Sequence, residues 1–382
     1  MQKIILTGLN GYGGHFVEEL LHNNPGTCCL SAVISRNPEQ SPYYEELIQK
    51  GIAIFSSLEE CLTQISADLA IITTPMHIHY KEVMCALNHN VSVYCEKPLA
   101  PTVEECIQIK EKAREKGCIA AVGFQWSFSK GILSLKKDIL NERYGKLEQI
   151  KTIANWNRPK AYFTNSSWKG RYFGENGERI MESVISNNAI HFLHNILFLC
   201  GESMETAAEI ACMEGEAFRA HHIEVFDTVC LRMKTEKEQE LLFYASIVSK
   251  QSEPAAFQIH FEHAVASYPV GDKKQIQVVC DDGNVIWYDS PDEGRYVHYQ
   301  DVLDAIRLKT SVTCDANTVL PSVKVVNTAM KKLPINDFPL EMVKEDDEIL
   351  YVPGLQERLN DCYEHGTMLG DQYYPWAIKT RL

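Results

Sequence analysis

The sequence predicts an α/β protein in two parts: a doubly wound parallel sheet first, then an α+β domain with a large, mostly antiparallel open sheet. Three observations predict it. Up to about residue 125, uncharged apolar strands alternate with amphipathic helices. Beyond about residue 205, long segments alternate polar and apolar side chains with few helices between them. A glycine-rich turn, GLNGYGG, joins the first strand to the first helix.

The elements of the first part follow in order. KIILTG reads as a strand, HFVEELLHNN as a helix and CLSAVIS as a strand. YYEELIQKG is helical, IAIFS is a short strand, and SLEECLTQI is a helix capped by Ser57. DLAIITTP, VSVYCEKP and IAAVGF are further strands, separated by the helices HYKEVMCALNHN and TVEECIQIKEKAREKG. This domain spans 1–125. The second, 126–335, opens with a helix near 129–143 and a polar, aromatic loop near 157–179. The apolar helix ISNNAIHFLHNILFLCG comes next. The alternating segments AAEIACM, FDTVCLRM, ELLFYASIV, FQIHFEHAVASYP and KQIQVVCDDGNVIWYD follow. DDGN is a hairpin turn within the last of these, and 315–332 closes the domain as a helix. The stretch 336–382 is polar and aromatic and is expected to pack back on the body.

With 382 residues, 45% of them hydrophobic, the chain suits two globular domains. A net charge of -14 argues against nucleic acid and anionic membrane as partners. No apolar window is long enough to span a bilayer, and MQKIILTGLNG enters a strand without a secretory leader. The 13 cysteines include no CxxC pair and lie largely in apolar runs. Reduced, buried thiols and a cytoplasmic location are the expectation.

The strand–turn–helix setting of GLNGYGG is where a dinucleotide pyrophosphate meets helix amides, as in a Rossmann domain. In G-x-G-x-x-G register Gly8 and Gly13 match, Asn10 takes the middle glycine position, and Gly11 and Gly14 offer a second spacing. Gly8, Asn10, Gly11, Tyr12 and Gly13 are therefore the candidate phosphate-side residues. Ser35 and Arg36 end the second strand where a carboxylate would select the unphosphorylated ribose. Serine and arginine suit a 2′-phosphate instead, so NAD(P)(H) is the expected cofactor, with NADP(H) favoured.

Two neighbouring strands end in TTPMHIH and VYCEKP. Ligands of open α/β sheets sit at the carboxyl ends of strands, which places Thr74, Pro75, His79, Glu96 and Lys97 at a candidate reaction centre.

With GLNGYGG, TTPMHIH, CEKPLA, GFQWSF and the helix bearing His191, the sequence resembles the glucose-fructose oxidoreductase / inositol dehydrogenase (Gfo/Idh/MocA) family. The resemblance implies that Lys97 reaches the reacting hydroxyl and that Glu96 helps fix the cofactor side. It implies a cis bond before Pro98, and that Thr74, Pro75 and His79 line the nicotinamide pocket. Met76 stands where the family usually has asparagine. Trp168 resembles the tryptophan of a family tryptophan–arginine pair near the cofactor, with Lys169 in the arginine's place. In the family's D-x-G-x-H-x-x-D helix this chain keeps His191, while Asn187, Ala189 and His194 replace the other residues. Asparagine hydrogen-bonds but holds no charge, which shifts proton transfer toward Lys97. The family also implies a homodimer or homotetramer through the open sheet face.

His191 and His194 lie three apart on one helix, yet no third ligand is spaced to join them, so no metal is expected. His221 and His222 read as a surface loop pair. The expected chemistry is reversible oxidation of a secondary hydroxyl of a sugar, cyclitol or polyol to a ketone. Lys97, His191 and Asn187 are its catalytic candidates. Asn157, Arg158, Trp168, Arg171 and Tyr172 are candidate wall residues. Two alternatives stay open: a redox-neutral glycosidase that reduces bound NAD(P) transiently, and a non-catalytic cofactor-binding sensor.

Overall fold

A computed structural model describes residues 1–24 and 26–382. The chain divides into two compact units, and both are discontinuous. One comprises Met1–Phe128 and Gly294–Leu320, the other Ser129–Glu293 and Pro321–Leu382. These limits differ from continuous domains at 1–125 and 126–335, because a stretch far along the chain returns to the first unit.

In the first unit β1 (Gln2–Thr7), α1 (Tyr12–His22), β2 (Cys28–Ile34), α2 (Tyr44–Gln49), β3 (Ala53–Phe55) and α3 (Leu58–Gln64) alternate as expected. β4 (Leu69–Ile72), α4 (Met76–Asn88), β5 (Ser92–Cys95), α5 (Val103–Lys116) and β6 (Ala120–Val122) complete the series. The six strands are parallel, in the order β3-β2-β1-β4-β5-β6. This is the doubly wound Rossmann order, with its switch between β1 and β4. β4 and β5 are buried along their whole length, which is why their sequences carry no alternation. Ser57 caps α3 through the amide of Glu60, and Thr102 with Glu105 forms a capping box on α5.

The second unit begins with α6 (Lys130–Leu140), β7 (Leu147–Asn155) and the short α7 (Ala161–Thr164). A π-turn over Val184–Asn188 leads into α8 (Ile190–Leu199). Then come β8 (Ile210–Arg219), β9 (Thr228–Thr235), β10 (Glu240–Ser246), β11 (Ala256–Phe261), β12 (Ala264–Val270), β13 (Gln275–Cys280) and β14 (Val285–Tyr288). FQIHFEHAVASYP, which reads as one alternating segment, is a hairpin: Glu262 and His263 turn the chain between β11 and β12.

The chain then returns to the first unit as α9 (Tyr299–Leu308). Gln2 Nε2 donates to the Leu303 carbonyl at 2.9 Å, and the Ala316 amide donates to the Ala120 carbonyl beside β6. α10 (Leu320–Lys332), β15 (Ile335–Asp337), β16 (Lys344–Glu345), β17 (Leu350–Tyr351), α11 (Leu355–His365), α12 (Leu369–Gln372) and β18 (Thr380–Arg381) end the chain.

The large sheet runs β14-β13-β12-β11-β7-β10-β9-β8-β15, with β18 on β8. It is antiparallel except at β7–β10 and β8–β15. Part of the C-terminal stretch packs back on the sheet. Leu355, Leu359 and Cys362 of α11 pack with Ile153, Phe218, Leu242 and Tyr244 of the sheet. Their i, i+4, i+7 spacing is a narrow apolar stripe in an otherwise charged helix.

Candidate functional site

Each unit carries one polar centre. In the first, Gly8 ends β1 at φ 86° and Gly11 precedes α1 at φ 61°. A Cβ on Gly13 would overlap the Gly8 carbonyl oxygen, so the turn closes only with glycine there. Above Gly11, by contrast, a Cβ would meet nothing within 4 Å. No side chain caps α1, which leaves its first amides for an anion. Thr73, just past β4, donates its hydroxyl to the carbonyls of Thr7 at 2.7 Å and Gly8 at 3.0 Å. The glycine turn is thereby tied to the switch point of the sheet. These features fit a dinucleotide pyrophosphate.

Tyr12 packs edge-on against Phe16, His15 and Tyr296. Burial, then the charge of Glu96, pushes its hydroxyl pKa up, so it stays protonated. Ser35 follows β2, its amide bonded to Phe55, and Arg36 is exposed. Glu82 of α4, which the sequence reading missed, accepts from the hydroxyls of Thr7 at 2.9 Å and Thr74 at 2.7 Å. Burial raises its pKa, opposed by those two bonds and then by the charges of Lys81 and Arg36.

The Lys97–Pro98 bond is cis. Glu96 is 7% exposed, and its Oε2 accepts from the Lys97 amide at 3.3 Å. Burial lifts its pKa from 4.5 to about 7, against the lowering charges of Lys97 and Arg295. His79 is 1% exposed. Its Nδ1 lies 2.7 Å from the Pro98 carbonyl oxygen and its Nε2 2.7 Å from that of Thr74. Burial lowers its pKa to about 4. His79 is therefore packed between the two strand-end loops, and as a neutral ring with one N–H it donates to one of the two carbonyls.

The second unit holds Asn187, His191 and Trp168. Consecutive residues of an α-helix do not face one another. The π-turn nevertheless brings Asn187 Nδ2 and Asn188 Nδ2 to the same Tyr162 hydroxyl, at 3.0 and 3.2 Å. The centre of this network is Glu182, 1% exposed. Its Oε1 accepts from Tyr162 at 2.9 Å and Asn187 at 3.0 Å, and its Oε2 from the Gly170 amide at 2.5 Å. Arg158 Nε donates to Asn188 Oδ1 at 2.8 Å. His191 is half-buried on the first turn of α8. His194 turns into the core, its Nδ1 2.9 Å from the Ser322 hydroxyl, and burial lowers its pKa to about 3.

Trp168 and the other cofactor-side candidates belong to different units. His221 is not a surface residue: it is buried, its Nδ1 3.1 Å from the fully buried Asp227. Nothing in its sequence neighbourhood marks it as buried, since its partner lies across the β8–β9 turn. Lys169 lines a cleft of about 680 Å³ with Phe163, Ser166, Arg171, Arg219 and His222. Among the described residues no group of three or more His, Cys, Asp or Glu side chains is placed to hold a metal. No helix among them is long and apolar enough to cross a membrane.

Residues 2–124 match the GFO_IDH_MocA model, described as an oxidoreductase family with an NAD-binding Rossmann fold. The chain is 26% identical over 208 residues to the scyllo-inositol 2-dehydrogenase (NADP(+)) IolW of Bacillus subtilis, covering 54% of this chain and 53% of that protein. It is 27% identical over 213 residues to the 2,7-anhydro-N-acetylneuraminate hydratase of Mediterraneibacter gnavus, covering 54% and 53%. The chain spans about half or less of the length of the curated relatives it matches. The WlbA dehydrogenase of Bordetella pertussis, solved with NADH and UDP-GlcNAcA, superposes with a TM-score of 0.68. That likeness, at 18% identity over 85% of this chain and 94% of the other, shows the shared fold. Over residues 2–124, the stretch that carries its glycine turn and its EKP strand end, the chain is similar to the Gfo/Idh/MocA oxidoreductase family.

Proposed function

We propose that the protein is an NAD(P)-dependent oxidoreductase that reversibly oxidises a secondary hydroxyl of a sugar, cyclitol or related polyol to a ketone. The observation that carries this reading is the tie from Thr73 to Gly8, which sets an uncapped helix N-terminus at the sheet's switch point. A bound nicotinamide dinucleotide would supply the hydride acceptor. Gly8, Asn10, Gly11, Tyr12 and Gly13 form the turn for its pyrophosphate. Ser35 and Arg36 meet the adenosine ribose and favour a 2′-phosphate. Lys97 takes the hydroxyl proton during oxidation and returns it during reduction. Glu96, beside it in sequence, holds or releases a proton near neutrality. His191 and Asn187 orient the substrate hydroxyl, and Asn187 itself is held by Glu182.

The thirteen cysteines are all free, which supports a reducing, cytoplasmic setting. A homodimer or homotetramer is part of the same reading.

The test is nicotinamide reduction, followed by absorbance, with NADP or NAD and a panel of polyols and sugars. Turnover with one of them, reduced about 10²- to 10⁴-fold in Lys97→Met, is the expected result. Unchanged turnover in that variant would sink the role of Lys97. The likeness to a hydratase favours one second reading, a redox-neutral reaction with a retained cofactor. Substrate conversion without accumulation of reduced cofactor would move it to first place.

A further inference from the structure

Two cations of the second unit surround one aromatic ring. The Lys169 ammonium lies 3.7 Å from the centroid of Tyr162, and the Arg158 guanidinium carbon lies 5.7 Å from the same point. Arg158 also lies 5.6 Å from the ring of Trp156. Among the described residues, neither cation has a carboxylate within ion-pair distance. Glu224 lines the cleft with Lys169 but accepts from the Tyr172 amide, and the carboxylate whose charge acts on Lys169 is Glu182, whose two oxygens already accept from Tyr162, Asn187 and Gly170. Counting that carboxylate, the cluster keeps one net positive charge. Burial and then the Arg158 charge lower the pKa of Lys169, and Glu182 opposes them. The chain as a whole carries -14, so anionic side chains to neutralise such a pair are abundant.

The cluster is held in place rather than loosely exposed. Phe163 packs edge-on against Tyr162 at 4.9 Å and lies 4.7 Å from His221, whose own partner is the buried Asp227. Arg158 is oriented through Nε by Asn188, which leaves its terminal nitrogens to a ligand. Lys169 also forms part of the wall of the 680 Å³ cleft, a volume that suits a small ligand. Aromatic rings surround the cations without cancelling their charge.

We infer that Arg158 and Lys169 form an anion subsite, and that the substrate of this protein is a sugar or polyol bearing a carboxylate or a phosphate ester. The inference rests on the oxidoreductase reading and narrows its substrate class. An anion at this place has two sources, the substrate or the phosphates of the dinucleotide. Guanidinium and ammonium groups recognise both.

The experiment compares matched probes: myo-inositol and glucose as neutral, D-glucuronate and glucose 6-phosphate as anionic. Wild-type protein is expected to turn over an anionic probe in preference to its neutral congener. Arg158→Gln and Lys169→Gln should each raise KM for that probe about 10- to 100-fold, with NADPH and NADH binding unchanged by fluorescence titration. Arg158→Lys and Lys169→Arg keep the charge and should keep the preference, which separates charge from folding. Weakened cofactor binding with unchanged substrate preference would assign the cations to the dinucleotide and overturn the inference. Preference for neutral probes would overturn it as well. If no probe reduces the cofactor, the oxidoreductase reading fails by itself. Calorimetric binding of D-glucuronate or glucose 6-phosphate to wild type, lost in the Gln variants, would then still support the subsite, and its absence would end it.

Discussion

Glu182 Oε1 accepts a hydrogen bond from Asn187 Nδ2 at 3.0 Å. The family resemblance leads one to expect aspartate at this position; the residue here is uncharged, yet a carboxylate stands beside it, five residues earlier in the chain. Removing Glu182 takes one acceptor from each of Tyr162, Asn187 and the Gly170 amide. Glu182→Ala should cost about 2–4 kcal/mol of stability by denaturant titration, since buried donors lose an acceptor. Glu182→Gln keeps the shape and should cost less, while lowering turnover more than it lowers stability.

Gly13→Ala tests the turn. The new Cβ would overlap the Gly8 carbonyl oxygen, a backbone atom that cannot swing away. Dinucleotide affinity should fall at least about 10-fold by fluorescence titration, because the amides that meet the pyrophosphate are displaced. Gly11→Ala meets no neighbour, and its φ of 61° is the only obstacle. Its effect should be smaller.

The raised pKa of Glu96 sets a pH dependence. Between pH 4.5, its ordinary value, and about 7, its folded value, the folded chain binds the extra proton. This group's contribution to stability is therefore largest below pH 4.5 and is lost as pH rises through 7. Glu96→Gln mimics the protonated form. It should gain stability relative to wild type as pH rises from 5 to 8, in urea titrations at each pH. An unchanged difference across that range would show that Glu96 titrates normally.

Cofactor choice should follow Arg36. Arg36→Ala is expected to weaken NADPH binding about 10-fold and NADH binding little, as one charged contact to a 2′-phosphate is removed. Equal loss for both cofactors would place Arg36 away from that phosphate.

His79 should act on both strand-end loops at once. His79→Ala opens a cavity and removes the ring N–H that one of the Thr74 and Pro98 carbonyls accepts. A loss of roughly 2–4 kcal/mol is expected in thermal or urea unfolding.

The sequence by itself determined the alternation of strand and helix, the glycine turn and the placement of Glu96 and Lys97 at a strand end. Hydrophobic periodicity and turn chemistry are written within a dozen residues, so they can be read locally. Tertiary structure alone decided the rest, because its partners are far apart in the chain. Gln2 meets Leu303, and the segment 294–320 joins the first unit. α11 enters the core on three buried apolar side chains and the half-buried Tyr363, too few to outweigh its charges in a sequence reading. His79 is packed between two loops because two carbonyls converge on it. Glu182 is a hub because a π-turn and a loop bring Asn187, Tyr162 and Gly170 to it. Arg158 and Lys169 share one ring because the chain folds back over Tyr162, and periodicity carries no record of which charges end without a carboxylate.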